Sequence, residues 1–206
     1  MHWMDIGFLE TFLEVITLIE ENSRRLKIAP IEREDGLILA SLSYYIAALG
    51  GSVFIDAGAG IGYSTAWMLY GISGLPIHKK IFLYAIEKDP HRYVNLEESV
   101  KKLKNLLPQD SHLIEVNALN IDALDFLRAE DHPIDMVFVD IAKKQYIEVL
   151  KILAMKLSKI GLGVFHNALK PGLDEETREF LERHKEELLY HVIPTRLGLL
   201  IVKRTV

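Results

Sequence analysis

The stretch Val53-Phe-Ile-Asp-Ala-Gly-Ala-Gly-Ile-Gly-Tyr-Ser-Thr65 decides the reading of this chain. An apolar run closes on an acid, Asp56, and a glycine-dense turn then leads into helix-compatible residues. A parallel strand that feeds a tight turn and a helix aims backbone N–H groups at a ligand beside the helix start. Glycines at such a turn supply left-handed angles and let a ligand approach the chain closely. Gly58, Gly60 and Gly62 read G-x-G-x-G, whereas the dinucleotide fingerprint G-x-G-x-x-G needs glycine where Tyr63 stands. The spacing therefore argues against a nicotinamide dinucleotide. A glycine-rich βα turn in some other α/β domain stays open as an alternative.

Outward from this turn the chain alternates. Apolar strand candidates lie at 53–56, 81–86, 113–116, 136–139 and 162–165, with helix candidates near 64–70, 90–106, 122–128 and 143–157 between them. Asp89-Pro90 supplies an N-cap followed by proline at the first helical position. Strands separated by helices predict a doubly wound, mostly parallel sheet covered on both faces. A charged helix near 174–187 precedes two strand-like runs, 188–193 and 197–203, joined around Pro194 and Gly198. The short join predicts an antiparallel final strand, and with it a seven-stranded sheet. Ahead of the turn, Phe8, Leu9, Phe12, Leu13, Ile16 and Ile19 mark one stripe of an amphipathic helix reaching about Arg25. A second helix runs from about 32 to 49 and ends at Gly50-Gly51. The expected organisation is a single domain, 1–206, with N-terminal helices at about 4–49 before a Rossmann-like core at 52–206.

Composition narrows the class. The 206 residues are 50% hydrophobic, enough for a substantial core, and a net charge of −5 offers no global attraction to nucleic acid or anionic membrane. A local basic patch would not show in that sum, so RNA, including tRNA, stays open. With no cysteine there is no disulfide, thiolate metal site or cysteine nucleophile. Acids among the N-terminal apolar residues argue against a signal peptide, and no apolar run approaches the ~20 residues that span a bilayer. A soluble cytoplasmic protein is expected. Lys101, Lys102 and Lys104 read as a solvated helix face. Trp3 reads as a core or dimer contact, and His2, His78, His91, His112, His132, His184 and His191 as surface or packing residues.

The Asp-x-Gly-x-Gly-x-Gly run starting at Asp56 resembles motif I of class I S-adenosylmethionine-dependent methyltransferases. The resemblance implies S-adenosylmethionine as cofactor, bound near Asp56, Gly58, Gly60 and Gly62. Glu87, at the end of the second strand, has the position to accept hydrogen bonds from a ribose diol. Asp122 is a candidate for the adenine amino group or a simple helix N-cap. Ser64 is a candidate for the amino-acid end of the cofactor or, equally, a helix cap.

Further along, Asp140-Ile-Ala-Lys143-Lys-Gln-Tyr146 and the pair His166-Asn167 sharpen the likeness. D-x-x-K-x-x-Y after strand four, with a ligand pair after strand five, resembles the cation-dependent O-methyltransferases, the group of catechol and caffeoyl-CoA O-methyltransferases. Gly62-Tyr63-Ser64, Glu87-Lys-Asp-Pro90, Asp122-Ala-Leu-Asp125 and Pro194-Thr-Arg-Leu-Gly198-Leu support it, over about 30–203. The resemblance implies methyl transfer to a hydroxyl of a small-molecule acceptor, with Lys143 as base, Asp140 at both cofactor and metal, and Asp140, His166 and Asn167 as ligands of a divalent cation. The stripe Phe8–Phe12–Ile16–Ile19, outside the Rossmann-like core, predicts a homodimer with the N-terminal helices at or near its interface, as in relatives of that family; a stripe packed on its own sheet, leaving a monomer, is the alternative. The family has Asp where His166 stands. Imidazole suits transition metals and oxygen ligands suit Mg²⁺, so His166 is read three ways: as a changed ligand, as a metal-free base, or as the mark of a site without metal. A tRNA-modifying methyltransferase and a non-catalytic S-adenosylmethionine-binding protein are the alternative functions.

Overall fold

The structure, a computed structural model, describes residues 6–76, 78–107 and 113–205. Trp3, His2 and His112 lie outside the described residues. The order of elements is α1 (Ile6–Arg25), α2 (Arg33–Ala48), β1 (Val53–Ala57), α3 (Tyr63–Ser73), β2 (Ile81–Ile86), α4 (Pro90–Leu106), β3 (Ile114–Leu119), α5 (Ala123–Ala129), β4 (Ile134–Val139), α6 (Tyr146–Lys156), β5 (Leu157–Phe165), α7 (Glu175–Arg183), β6 (Leu188–Ile193) and β7 (Leu199–Arg204). A 3-10 turn at Lys143–Gln145 leads into α6, and an irregular helical turn at Ala168–Gly172 follows β5.

The strands form one seven-stranded sheet in the order β3-β2-β1-β4-β5-β7-β6. β7 runs antiparallel to both of its neighbours, and the other described pairings are parallel. This is the expected doubly wound sheet with its antiparallel last strand. The strand order reverses at β1, which pairs with β2 on one side and β4 on the other.

Period-2 alternation sends successive side chains to opposite faces. Phe54, Met136 and Phe138 join α1, α2, α3 and α4 on one face. Val53, Ile55, Val137 and Val139 join α5, α6 and α7 on the other. β1 and β4 are buried throughout, as a central parallel strand must be when helices cover both faces.

The N-terminal stripe meets its own protomer. Phe12, Ile16 and Ile19 are buried in the core shared with α3 and α4, and Phe8 packs against it. The surface on which a dimer was expected through this stripe is thus already covered within the chain. α3 is apolar nearly all round because α1 and α2 cover its outer side, with the sheet beneath. Its start at Tyr63 and its run to Ser73 exceed the expected 64–70 for that reason: the helix shows no amphipathic edge. β5 begins at Leu157, five residues ahead of expectation, across a register irregularity opposite Ile134 and Met136. β3 extends to Leu119, while α7 stops at Arg183, short of the expected 187. Lys101, Lys102 and Lys104 are exposed on α4.

Candidate active site

The carboxyl ends of β1, β2, β4 and β5 meet around the switch point, where ligands of open α/β sheets bind. At β1 the chain turns through Gly58, Gly60 and Gly62, with φ of 93°, 58° and 98°. Gly58 and Ala59 donate their N–H groups to Ile86 O, and Asp140 N–H donates to Ala57 O, so the turn is tied to both neighbouring strands. A Cβ on Gly58 would stand 2.4 Å from the Asp140 carbonyl oxygen, so this crossing admits only glycine.

Glu87 leaves β2 at the same level and is 6% exposed. Its Oε2 accepts from Gly60 N–H at 3.0 Å and its Oε1 from Asp89 N–H at 2.9 Å. Each oxygen keeps a further lone pair, so the carboxylate can still accept from a diol. A cavity of about 230 Å³ opens between these groups. Gly58, Gly60, Glu87, Asp122 and Asp140 line it, and α1's trailing residues Ile28 and Ala29 close one side. A larger hollow of about 680 Å³ sits near Pro133 and Leu157, where β4 and β5 begin, away from the glycine turn. There Asp135 accepts from Ser52 N–H, Val53 N–H and Ser158 Oγ, a brace between strands rather than a reactive group.

The other sequence-marked residues are placed differently. Asp56 is fully buried and does not line the cavity. Its Oδ2 accepts from Ser64 Oγ at 2.7 Å and from Thr65 Oγ1, which locks the start of α3 to the end of β1. Burial pushes its pKa up to about 7, against the lowering effect of both hydroxyls. Ser64 is therefore committed to Asp56, and the α3 N-cap is Gly62 in a left-handed conformation. Gly62 does not line the cavity: a Cβ there would meet Leu96 and Ser99 of α4 at 3.2 Å. Asp122 is the N-cap of α5, its Oδ1 accepting from Leu124 N–H at 2.9 Å, while Oδ2 lies 3.6 Å from Lys88 Nζ.

On the β4–β5 side, Tyr146 is buried, and its hydroxyl lies 2.9 Å from His166 O and 3.2 Å from Val139 O. Lys143 Nζ donates to that hydroxyl at 3.1 Å and to His166 O at 2.5 Å, and lies 4.3 Å from the Tyr146 ring centre. Burial lowers the lysine to about 8, against the opposing pull of Asp140 and Asp174. A neutral amine can keep both donor bonds and still hold a lone pair free, so the site tolerates the basic form of Lys143.

His166 is 3% exposed and lies between two carboxylates. Its Nε2 is 3.2 Å from Asp35 Oδ2, and its Nδ1 is 3.3 Å from Asp140 Oδ1, an ion-pair contact whose angles fall short of a hydrogen bond. Asp35, at the start of α2, is 0% exposed. Burial alone would depress the histidine, but the Asp140 and Asp35 carboxylates outweigh it and raise the imidazole to about 9. Burial would likewise push Asp35 up, yet His166 and Thr195 hold it below its ordinary value.

A metal ligand must present a lone pair to the ion, whereas this ring turns both nitrogens toward carboxylate oxygens, Nε2 toward Asp35 and Nδ1 toward Asp140. Asn167 follows with φ 57° at the N-cap position of the next turn, without a side-chain capping bond. Among the described residues no group of three or more histidine, aspartate or glutamate side chains is arranged to hold an ion. The set Asp140, His166 and Asn167 does not fit a divalent cation in this arrangement.

Asp35 was not singled out from the sequence. A signal existed: Asp35, Leu39, Ser43 and Ile46 share one helical stripe, and an acid on a buried stripe needs a partner. Arg92, Lys88 and Gln145, which also line the cavity, carried no sequence signal.

No family model and no curated protein matches the chain. Solved structures do. A methyltransferase from Geobacter sulfurreducens is 21% identical, with a TM-score of 0.73 over 94% of this chain and 89% of its own. TomG from Streptomyces achromogenes, an O-methyltransferase involved in tomaymycin synthesis and solved with SAM, is 19% identical, with a TM-score of 0.71 over 94% and 90%. An O-methyltransferase from Bacillus cereus in complex with SAH is 17% identical, with a TM-score of 0.67 over 95% and 91%. At these identities the likeness is one of fold, and the chain has the Rossmann-like fold of class I methyltransferases. Among the described residues no helix is long and apolar enough to cross a membrane.

Proposed function

We propose that this chain is an S-adenosylmethionine-dependent methyltransferase that transfers a methyl group to a hydroxyl of a small-molecule acceptor. One observation carries the reading: in a fold whose solved relatives hold SAM or SAH, Glu87 is clasped to the Gly60 turn at the mouth of the switch-point cavity. Glu87 accepts from the ribose diol, and the Gly58–Gly60 backbone admits the ligand beside β1. Asp122 stands at the adenine end, where its capping bond leaves acceptor capacity. When bound, S-adenosylmethionine supplies an electrophilic methyl carbon on a sulfonium. Lys143, lowered to about 8 by burial, takes the acceptor's hydroxyl proton, and Tyr146 and His166 O fix the amine in place. The acceptor side lies between Asp140, Lys143 and the turn after β5.

Calorimetry with S-adenosylhomocysteine and NAD tests the cofactor: the first should bind and the second should not. Glu87→Ala should weaken binding by about 1.5–3 kcal/mol, the worth of charge-assisted hydrogen bonds. Labelled-methyl transfer to catechol-type phenols and to bulk tRNA then tests the acceptor class. Lys143→Ala should keep cofactor affinity and lose transfer by a factor on the order of 10² or more. Unchanged affinity in the first variant removes Glu87 from the site, and unchanged turnover in the second removes Lys143 as base.

We also infer a homodimer, on a different face from the one the α1 stripe suggested. Leu37, Tyr44 and Tyr45 lie on one side of α2 and are 52%, 47% and 57% exposed. Their i, i+7, i+8 spacing puts all three on one exposed side of an N-terminal helix.

A further inference from the structure

We propose that the buried cluster Asp35–His166–Asp140 takes the place of a divalent cation on the acceptor side of the site, and that Asp35 is the positioning residue that keeps it there. The inference rests on the methyltransferase reading above for what the site does, but its geometry stands independently. A cation at this position would offset the charge of Asp140 and order the groups around it. His166 does both with a ring enclosed in protein. Nδ1 faces Asp140 at 3.3 Å, Nε2 faces Asp35 at 3.2 Å, and the ring packs 6.1 Å from the Phe138 ring centre.

Both contacts are attractive only when the ring donates from both nitrogens, because a bare lone pair would oppose a carboxylate. A buried carboxylate such as Asp35 is costly unless paired, so it holds the ring in this state as firmly as the ring holds it. The backbone is set to match. His166 N–H donates to Val139 O and Asp140 N–H to Ala57 O, so β1, β4 and β5 fix the two ends of the Asp140–His166 contact.

α2 brings the third member. The anchor of α2 is itself secured from the β6–β7 turn, where Arg196 N–H donates to Glu34 Oε1 at 2.6 Å and the Arg196 guanidinium pairs with Glu32. Asp140 retains an oxygen beyond the His166 contact. Its side chain is 28% exposed and lines the cavity, so that oxygen is open to accept a hydrogen bond from a second donor group of the acceptor, beside the reacting hydroxyl. Lys143 would take the proton of the reacting hydroxyl, and S-adenosylmethionine, when bound, would supply the methyl group and leave as the neutral thioether, so the step balances without a metal.

The test uses the full chain stripped with EDTA. Mn²⁺ is titrated at millimolar concentration and followed by electron paramagnetic resonance, with and without S-adenosylhomocysteine. The wild type should bind no stoichiometric Mn²⁺ and should bind S-adenosylhomocysteine with the same affinity in EDTA and in Mn²⁺. One tightly bound Mn²⁺ per chain would overturn the proposal. Failure of S-adenosylhomocysteine to bind in either condition would instead remove the methyltransferase reading and leave the Mn²⁺ result standing by itself.

His166→Asp removes the internal cation and leaves carboxylates facing one another. Its melting temperature should rise by about 5–10 °C at saturating Mn²⁺, while that of the wild type stays fixed. A variant that folds but ignores Mn²⁺ counts against the cluster being a cation's equivalent. Nitrogen-resolved NMR of the wild type decides should that variant fail to fold. Two slowly exchanging ring N–H protons are expected for His166, and a ring with a single N–H overturns the proposal. Asp35→Asn should lose exchange protection at Nε2 while S-adenosylhomocysteine affinity stays within about two-fold, a split that general destabilisation would not give.

Discussion

Three titrating side chains near the β1–β4–β5 ends act in different pH windows, and the sign of each follows from the direction of its shift. Asp56, raised from 3.8 to about 7, favours its protonated form in the fold, so its contribution declines as pH rises from about 4 to 7. His166, raised from 6.5 to about 9, contributes fully below about 6.5 and loses that contribution as pH rises through 9. Lys143, lowered from 10.5 to about 8, works the other way: from about 8 upward the unfolded chain binds the proton that the folded chain has released, and stability gains with pH. Between about pH 7 and 8 His166 therefore sets the slope. Stability should fall there by about 1 kcal/mol per pH unit, and Asp35→Asn should flatten the slope by removing one of the two carboxylates that raise the ring. Urea unfolding at pH 7.0, 7.5 and 8.0 on both proteins checks this. A wild-type slope of zero would mean that the ring is not held charged. The same residues mark where reading the sequence stopped. Glu87 could be placed at a strand end because an acid after an apolar run is visible in one dimension. The commitment of Asp56 to Ser64 and Thr65 could not, because it depends on the angle at which α3 leaves the turn.

The helix pair α2–α3 shows how closely elements approach here. A Cβ on Gly71 would stand 2.1 Å from the Ala40 carbonyl oxygen, and one on Gly36 would enter the Trp67 indole at 2.3 Å. Gly→Ala inside a helix ordinarily gains up to about 1 kcal/mol from propensity. At Gly71 the obstacle is backbone, which cannot swing aside, so the helices must separate. Gly71→Ala should therefore destabilise by about 1–3 kcal/mol net, read as a lower denaturant midpoint with unchanged m-value. A neutral or stabilising result would show that the crossing is looser than described. Element type was legible wherever one face was solvated: α4 followed from Asp89-Pro90 and its polar face, and the Asp89 side chain caps His91 and Arg92 N–H. Boundaries failed where burial is complete, as in α3, or where a strand lengthens across an irregular pairing, as in β5. Periodicity reports a difference between two faces, and these segments have little difference to report.

At the scale of the whole molecule, burial within the protomer decides which surface is left for a partner. The stripe Phe12–Ile16–Ile19 is used up against α3 and α4, whereas Leu37, Tyr44 and Tyr45 of α2 remain outside. Light scattering at micromolar concentration should give twice the chain mass, and Tyr45→Glu should shift it toward the monomer by placing a charge on that side of α2. A wild-type monomer at that concentration ends the inference. The sequence by itself determined the alternation of strands and helices, the antiparallel finish and the glycine turn with Glu87 beside it. Each of these is written in local chemistry: side-chain period, turn residues and an acid at the end of an apolar run. Only the tertiary structure decided which marked residues reach the cavity, which face α1 covers, and which groups His166 faces. Asp35 and His166 are far apart in the chain, and their contact exists because α2 packs over α3 and lays its first turn against the end of β5. In sequence alone His166 was open to three readings, as ligand, base or neither, and the carboxylate that faces each ring nitrogen is what the proposed internal cation rests on.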